Sequence, residues 1–140
     1  MPTASTIAIR QIDHVVIRAK DLARMVAFYR DVLGCPVEKE QPAVGLIQLR
    51  AGSSLIDLVD VAGELGKMGG APPGTEGRNL DHFCVQVAPW DASAIRAHLA
   101  AHGVEAPEPV SRYGALGQGP SIYIQDPEGN TVELKGPPGT

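Results

Sequence analysis

The chain states one pattern twice. Ile12-Asp13-His14 opens a strand-like run, and Leu80-Asp81-His82 opens another. Each run leads into an amphipathic helical stretch, then a glycine, then further strand-like segments. An internal repeat constrains the architecture before any single residue is weighed, because similar units bury similar apolar faces against each other. It also puts two histidines at equivalent positions of two units. Folded face to face, such units would bring the imidazoles together, and paired histidines on facing strands are a metal-site arrangement.

The periodicities give both units the same plan. Residues 11–19 alternate imperfectly, with Asp13, Val15 and Ile17 on one face and Ile12, His14, Val16 and Arg18 on the other, as in a strand with two different neighbours. Asp21 is a helix cap, the apolar positions Leu22, Met25, Val26, Phe28, Tyr29 and Leu33 recur at helical spacing, and Gly34 ends the helix. Residues 37–40, 45–50 and 55–61 read as strands, the last two joined by a hairpin at Ala51-Gly52-Ser53-Ser54. The Gly- and Pro-rich residues 62–79 read as the linker. In the second unit, residues 80–87 are a strand, Asp91 caps a helix carrying Ile95 and Leu99, and Gly103 ends it. Residues 104–110 are expected as an edge strand, interrupted by Pro107 and Pro109. Residues 111–120 are expected as a Gly-rich loop. Residues 121–125 and 131–135 are strands joined by the turn Asp126-Pro127-Glu128-Gly129-Asn130. The expected organisation is one domain, with a first βαβββ unit over 8–61, a linker over 62–79 and a second βαβββ unit over 80–136.

Composition narrows the class of protein. At 140 residues, with 44% hydrophobic and 20% charged content, the chain can bury a real core and reads as a soluble globular domain. A net charge of -4 argues against nucleic acid or an anionic membrane as partner. No apolar run approaches the ~18 residues of a membrane span. Residues 1–6 lack the basic start and apolar core of a secretion signal. Cys35 and Cys84 are too few for a disulfide framework and are expected as buried free thiols, which fits a cytoplasmic location.

The last strand of each unit carries one carboxylate between apolar neighbours, Ile56-Asp57-Leu58 and Val132-Glu133-Leu134. Period-two geometry sends Ile56, Leu58, Val132 and Leu134 to a helix-packed core, with Val15, Ile17, Phe83 and Val85. The opposite face then carries His14, Asp57, His82 and Glu133 together, neighboured by Gln48, Arg18, Gln86, Ser121, Tyr123 and Lys135. Buried carboxylates need a cation partner, and two imidazoles with one or two carboxylates suit Zn, Ni, Mn or Fe(II).

Four strings carry a resemblance to a known family: Asp13-His14-Val15-Val16-Ile17, Phe28-Tyr29-Arg30-Asp31-Val32-Leu33-Gly34, Asp81-His82-Phe83 and the run from Tyr123-Ile124-Gln125-Asp126-Pro127-Glu128-Gly129-Asn130 to Thr131-Val132-Glu133-Leu134. Over its whole length the chain resembles the vicinal oxygen chelate superfamily, which includes glyoxalase I, extradiol dioxygenases, fosfomycin-resistance thiol transferases and bleomycin-resistance proteins. The resemblance implies an α+β fold of two βαβββ modules forming a half-open barrel, with helices on the outer face. It implies a divalent metal and a small substrate that chelates it through adjacent oxygens. It implies a homodimer too, and many relatives build each site from two chains.

Carried over by position, His14, His82 and Glu133 are the implied metal ligands. Asp57 falls where glyoxalase-like relatives place a fourth ligand, normally Glu, and is one methylene shorter. Glu133, Tyr123 and Asp57 are the candidate catalytic residues; Arg112, Gln48 and Tyr123 are the candidate substrate contacts. Arg112 and Gly114-Ala115-Leu116-Gly117-Gln118-Gly119 suit an anionic substrate group, or form a plain surface loop. His98 and His102 have metal-ligand spacing, but a helix-end charge role is expected of His102. The competing activities are a glyoxalase-like lyase or isomerase, an extradiol-type dioxygenase and, with least support, a thiol transferase. The alternative from another class is a metal-free binding protein of the bleomycin-resistance kind.

Overall fold

A computed structural model of the chain describes residues 6–140; residues 1–5, most of the stretch read for a secretion signal, lie outside the described residues. The first half contributes β1 (His14–Ala19), α1 (Leu22–Ala27), β2 (Val37–Gln41), β3 (Leu46–Ala51) and β4 (Ser54–Asp60). The second contributes β5 (Phe83–Gln86), α2 (Ala92–Ala101), β6 (Val110–Gly114), β7 (Gly117–Gln125) and β8 (Thr131–Lys135). The strands form two four-stranded mixed sheets, ordered β1-β4-β3-β2 and β5-β8-β7-β6, in which only the β1–β4 and β5–β8 pairs are parallel. This is the expected α+β fold, and the sheets are not closed into a full barrel.

Local chemistry sets the helices. The Asp21 and Asp91 carboxylates accept from the amides of Arg24 and Ala94, satisfying donors that each first turn leaves orphaned. After Ala27 the first helix widens into a π-type turn over Phe28–Val32, and Gly34 stops it at φ 71°. One face of each sheet is sealed by these helices. Ile17, Met25, Tyr29, Leu49 and Leu58 from the first half join Leu99, Ile122, Ile124 and Val132 from the second in one buried cluster.

The Asp126–Asn130 turn locks the halves together. The buried Tyr29 hydroxyl donates to Asp126 Oδ2 at 2.8 Å. Glu128 accepts from the amides of Lys20 and Asp21 at 2.7–3.0 Å, just where β1 gives way to α1. Asn79 bonds the backbone of Arg18 through both its amide nitrogen and its oxygen, and reaches Asn130 as well. The segment after β4 is tied down by Arg18, whose guanidinium donates to the carbonyls of Gly66, Gly70 and Ala71.

Two sequence expectations are corrected. Residues 104–109 form no strand; pairing begins at Val110. The expected Gly-rich loop is instead a hairpin, with Gly114 opposite Gly117 and Arg112 opposite Gly119. Its glycines make room rather than flexibility: a Cβ on Gly119 would sit 2.5 Å from the Gly136 carbonyl oxygen, and one on Gly114 would meet the Lys135 stem at 2.6 Å. Among the described residues, no helix is long and apolar enough to cross a membrane.

The Tyr29–Asp126 bond has a measurable signature. Tyr29→Phe leaves a buried carboxylate short of one donor and should cost about 1–3 kcal/mol in urea unfolding. Burial first, then the Asp126 charge, raises the phenol above its ordinary 10 in the folded state, so its contribution is present below pH 10 and is lost as pH rises beyond. The difference in stability between wild type and Tyr29→Phe should therefore shrink above pH 10.

Candidate metal centre

Each sheet turns one acid away from the core. Ile56 and Leu58 enter the shared cluster, so Asp57 between them points the other way; Val132, Glu133 and Leu134 repeat the arrangement. Both acids are enclosed by their neighbours, Asp57 at 4% and Glu133 at 6% exposure. Asp57 receives the Gln48 side-chain amide at 3.2–3.3 Å, and Glu133 receives the Ser121 hydroxyl at 2.6 Å. Neutral donors alone are thin compensation for an enclosed carboxylate.

The histidines stand beside these acids. His14 opens β1, one residue before Val15 pairs with Ile56, and His82 directly precedes β5. The His14 Nε2 lies 3.9 Å from Asp57 Oδ2, and the His82 Nε2 lies 3.3 Å from Glu133 Oε1. The opposite ring nitrogen is held by the preceding residue in both cases: His14 Nδ1 contacts Asp13 at 2.7 Å, and His82 Nδ1 contacts Asp81 at 2.5 Å. The Asp13 hydrogen bond, then the Asp57 charge, raises the His14 pKa above its ordinary value. An imidazole that donates Nδ1–H to a carboxylate presents its Nε2 lone pair outward, which is how metal-binding histidines are oriented.

The four groups gather as two pairs. His14 sits with Asp57 and His82 with Glu133, while among the described residues no three His, Cys, Asp or Glu side chains form a group able to hold a metal ion. The donor set still fits a divalent cation. It offers two oriented imidazoles and two enclosed carboxylates whose neighbours are neutral donors and an imidazole, with no cationic side chain paired to either acid.

The remaining candidates divide between the pairs. Gln48 lies opposite Asp57 and spends its amide on that acid. Tyr123 lies opposite Glu133, with its ring perpendicular to that of His82 at 5.4 Å between centroids. Its phenol is raised above the ordinary value, by desolvation first and then by Glu133, so it is protonated at neutral pH and serves as a donor. Arg112 sits over the Tyr123 ring, 4.8 Å from the centroid. Lys135 is buried and donates to the carbonyls of Arg112 and Gly119 rather than to an acid. His98 and His102 bond the Val32 and His98 carbonyls and lie apart from both pairs.

Three features went unread in the sequence. Asp13 and Asp81 position the imidazoles, a role written in the doubled Asp-His dipeptide itself. Ser121, placed on the acid face by strand alternation, holds Glu133, a role the sequence reading did not assign to it. Cys84 is not buried as expected but exposed, directly opposite Glu133. Desolvation and the Glu133 charge push its thiol up to about 11, so it is no nucleophile at neutral pH.

Comparison with known proteins agrees with this architecture. The profile of the Glyoxalase/Bleomycin resistance protein/Dioxygenase superfamily matches residues 11–134, and the chain belongs to that superfamily. It is 34% identical over 130 residues to the glyoxalase domain-containing protein RDO1 of Mycosarcoma maydis, covering 91% of this chain and 69% of that protein. It is 32% identical over 129 residues to virulence protein STM3117 of Salmonella typhimurium, covering 90% of this chain and 83% of that protein. The crystal structure of STM3117 superposes with a TM-score of 0.76 at 27% identity, over 94% of this chain and 99% of that one. Mitochondrial methylmalonyl-CoA epimerase of Mus musculus is 26% identical over 131 residues, 89% of this chain and 72% of that protein.

The Ser121–Glu133 bond can be probed directly. Ser121→Ala removes a charge-assisted bond to an enclosed carboxylate, and metal-free protein should lose about 1.5–3 kcal/mol in chemical denaturation.

Proposed function

We propose that the protein is a divalent-metal-dependent enzyme acting on a small substrate that chelates the ion through vicinal oxygens. In this reading each site is assembled from two copies of the chain. His14 of one copy, with His82 and Glu133 of the other, hold the ion, and Asp57 stands beside them. The observation that carries the reading is the matched pair of half-sites: each has an Asp-oriented imidazole aimed at an enclosed acid, and neither is complete within its own chain. A twofold dimer supplies the missing half at both sites at once.

When bound, the cation polarises the chelating substrate oxygens as a Lewis acid and makes a neighbouring C–H more acidic. Glu133, fixed by Ser121 and flanked by His82, keeps its position while substrate enters. Asp57 is the carboxylate free to take a proton from substrate and return it, because its shorter side chain leaves it 3.9 Å from the nearest imidazole nitrogen. The Gln48 amide orients Asp57 for that task. The protonated Tyr123 hydroxyl donates to a substrate oxygen. This is isomerase- or epimerase-type chemistry, and the similarity to an enzyme named methylmalonyl-CoA epimerase supports it.

Metal analysis of protein purified without chelators tests the first claim. The expected result is close to one divalent ion per chain, lost in His14→Ala and in His82→Ala. Less than about 0.2 ion per chain, unchanged by either substitution, would overturn the reading and favour a metal-free binding protein. Asp81→Ala, which frees the His82 ring, should weaken metal affinity about 10–100-fold.

Mixing the two alanine variants tests the shared site. Random re-pairing of a twofold dimer restores about one wild-type site in four if sites span two chains, and none if each site lies within one chain. Oxygen uptake with catechols by the metal-loaded protein, without proton exchange in substrate, would count against proton transfer and for ring cleavage.

A further inference from the structure

The candidate site lies on a chain of negative net charge, yet its second half presents a guanidinium with nothing to bind. Every other half-buried arginine is engaged: Arg18 with the carbonyls of Gly66, Gly70 and Ala71, Arg50 with Glu38, and Arg96 with Glu108 and the Ala106 carbonyl. Arg112 has no carboxylate partner among the described residues, and its enclosed Nε donates to no acceptor. It is held in place all the same. Its backbone pairs with Gly119 across the hairpin, its carbonyl takes the Lys135 ammonium, and its guanidinium lies over the Tyr123 ring.

That placement is specific to one side of the candidate site. Tyr123 carries Arg112 over its face and meets His82 in a perpendicular contact, so the guanidinium and the imidazole share a single ring as neighbour. A planar guanidinium held against an aromatic ring, with no acidic partner among the described residues, matches a carboxylate or phosphoryl group.

We propose that Arg112 is the anion anchor of the substrate, so that the substrate class is a small molecule bearing a carboxylate or phosphoryl group beside its metal-chelating oxygens. The assignment rests on the reading of His14, His82 and Glu133 as a metal centre only for the second half of that description. The anion contact itself belongs to this chain's own residues and needs no ion.

Calorimetric titration of 2-phosphoglycolate, malonate and uncharged catechol into wild type, Arg112→Gln and Arg112→Lys separates these claims, each protein being run chelator-treated and metal-loaded. Chelator-treated wild type should bind at least one anionic probe, Arg112→Gln should weaken that binding about tenfold or more, and Arg112→Lys should fall between them. Which anion binds tighter distinguishes a phosphoryl from a carboxylate substrate. Catechol should bind only the metal-loaded protein and equally well in all three. Equal anion affinity in wild type and a folded Arg112→Gln, verified by circular dichroism and melting temperature, would overturn the proposal, as would no anion binding to wild type. Arg112-dependent anion binding in protein that takes up no metal would leave this inference standing while the metal reading falls.

Discussion

The Asp126 carboxylate is the point on which the two halves of the molecule turn. It is buried, and it accepts from the Tyr29 hydroxyl of the first half as well as from the Glu128 and Asn130 amides and the Asn130 side chain of its own turn. A carboxylate with that many donors fixes its turn rigidly, and the turn in turn aims Glu128 at the amides that open α1. The helices and the apolar faces of both sheets are thereby committed to one shared core. The faces carrying His14 with Asp57 and His82 with Glu133 are left over, outside that core.

This division explains why so much of the site was legible in the sequence. Strand alternation puts Asp57 and Glu133 opposite the core-facing Ile56, Leu58, Val132 and Leu134, and alternation is a local property that a sequence displays openly. The cap at Asp21, the stop at Gly34 and the turn at Asp126 are equally local. The hairpin from Val110 to Gln125 was hidden because its glycines mimic a loop, whereas close approach of the Gly136 carbonyl and the Lys135 stem is what excludes side chains there. No local pattern carries that information. Cys84 was misplaced for a related reason: flanking apolar residues suggested burial, but strand parity puts it on the Glu133 face.

The relation between the two half-sites was the part the sequence could not order. The repeat places the histidines at equivalent positions, yet equivalence within a repeat does not say whether the equivalent faces meet inside one chain. The Asp126 clamp and the shared core answer for the monomer by gathering apolar faces rather than polar ones, and no three-ligand group forms among the described residues. A structure that satisfies its hydrophobic requirement this way leaves the two histidine–carboxylate pairs outside the shared core.

The two sets are not equal, and the inequality is informative. Glu133 reaches to 3.3 Å from its imidazole and is held by a hydroxyl at 2.6 Å, whereas Asp57 stops 3.9 Å short and is held more loosely by an amide. The aromatic ring and the unpaired guanidinium also lie with Glu133, while the position opposite Asp57 is an amide already in use. Symmetric ligation would call for equal reach from both acids. The asymmetry leaves Glu133 the more tightly held of the two acids, with an aromatic ring and a guanidinium beside it, and Asp57 the less constrained one.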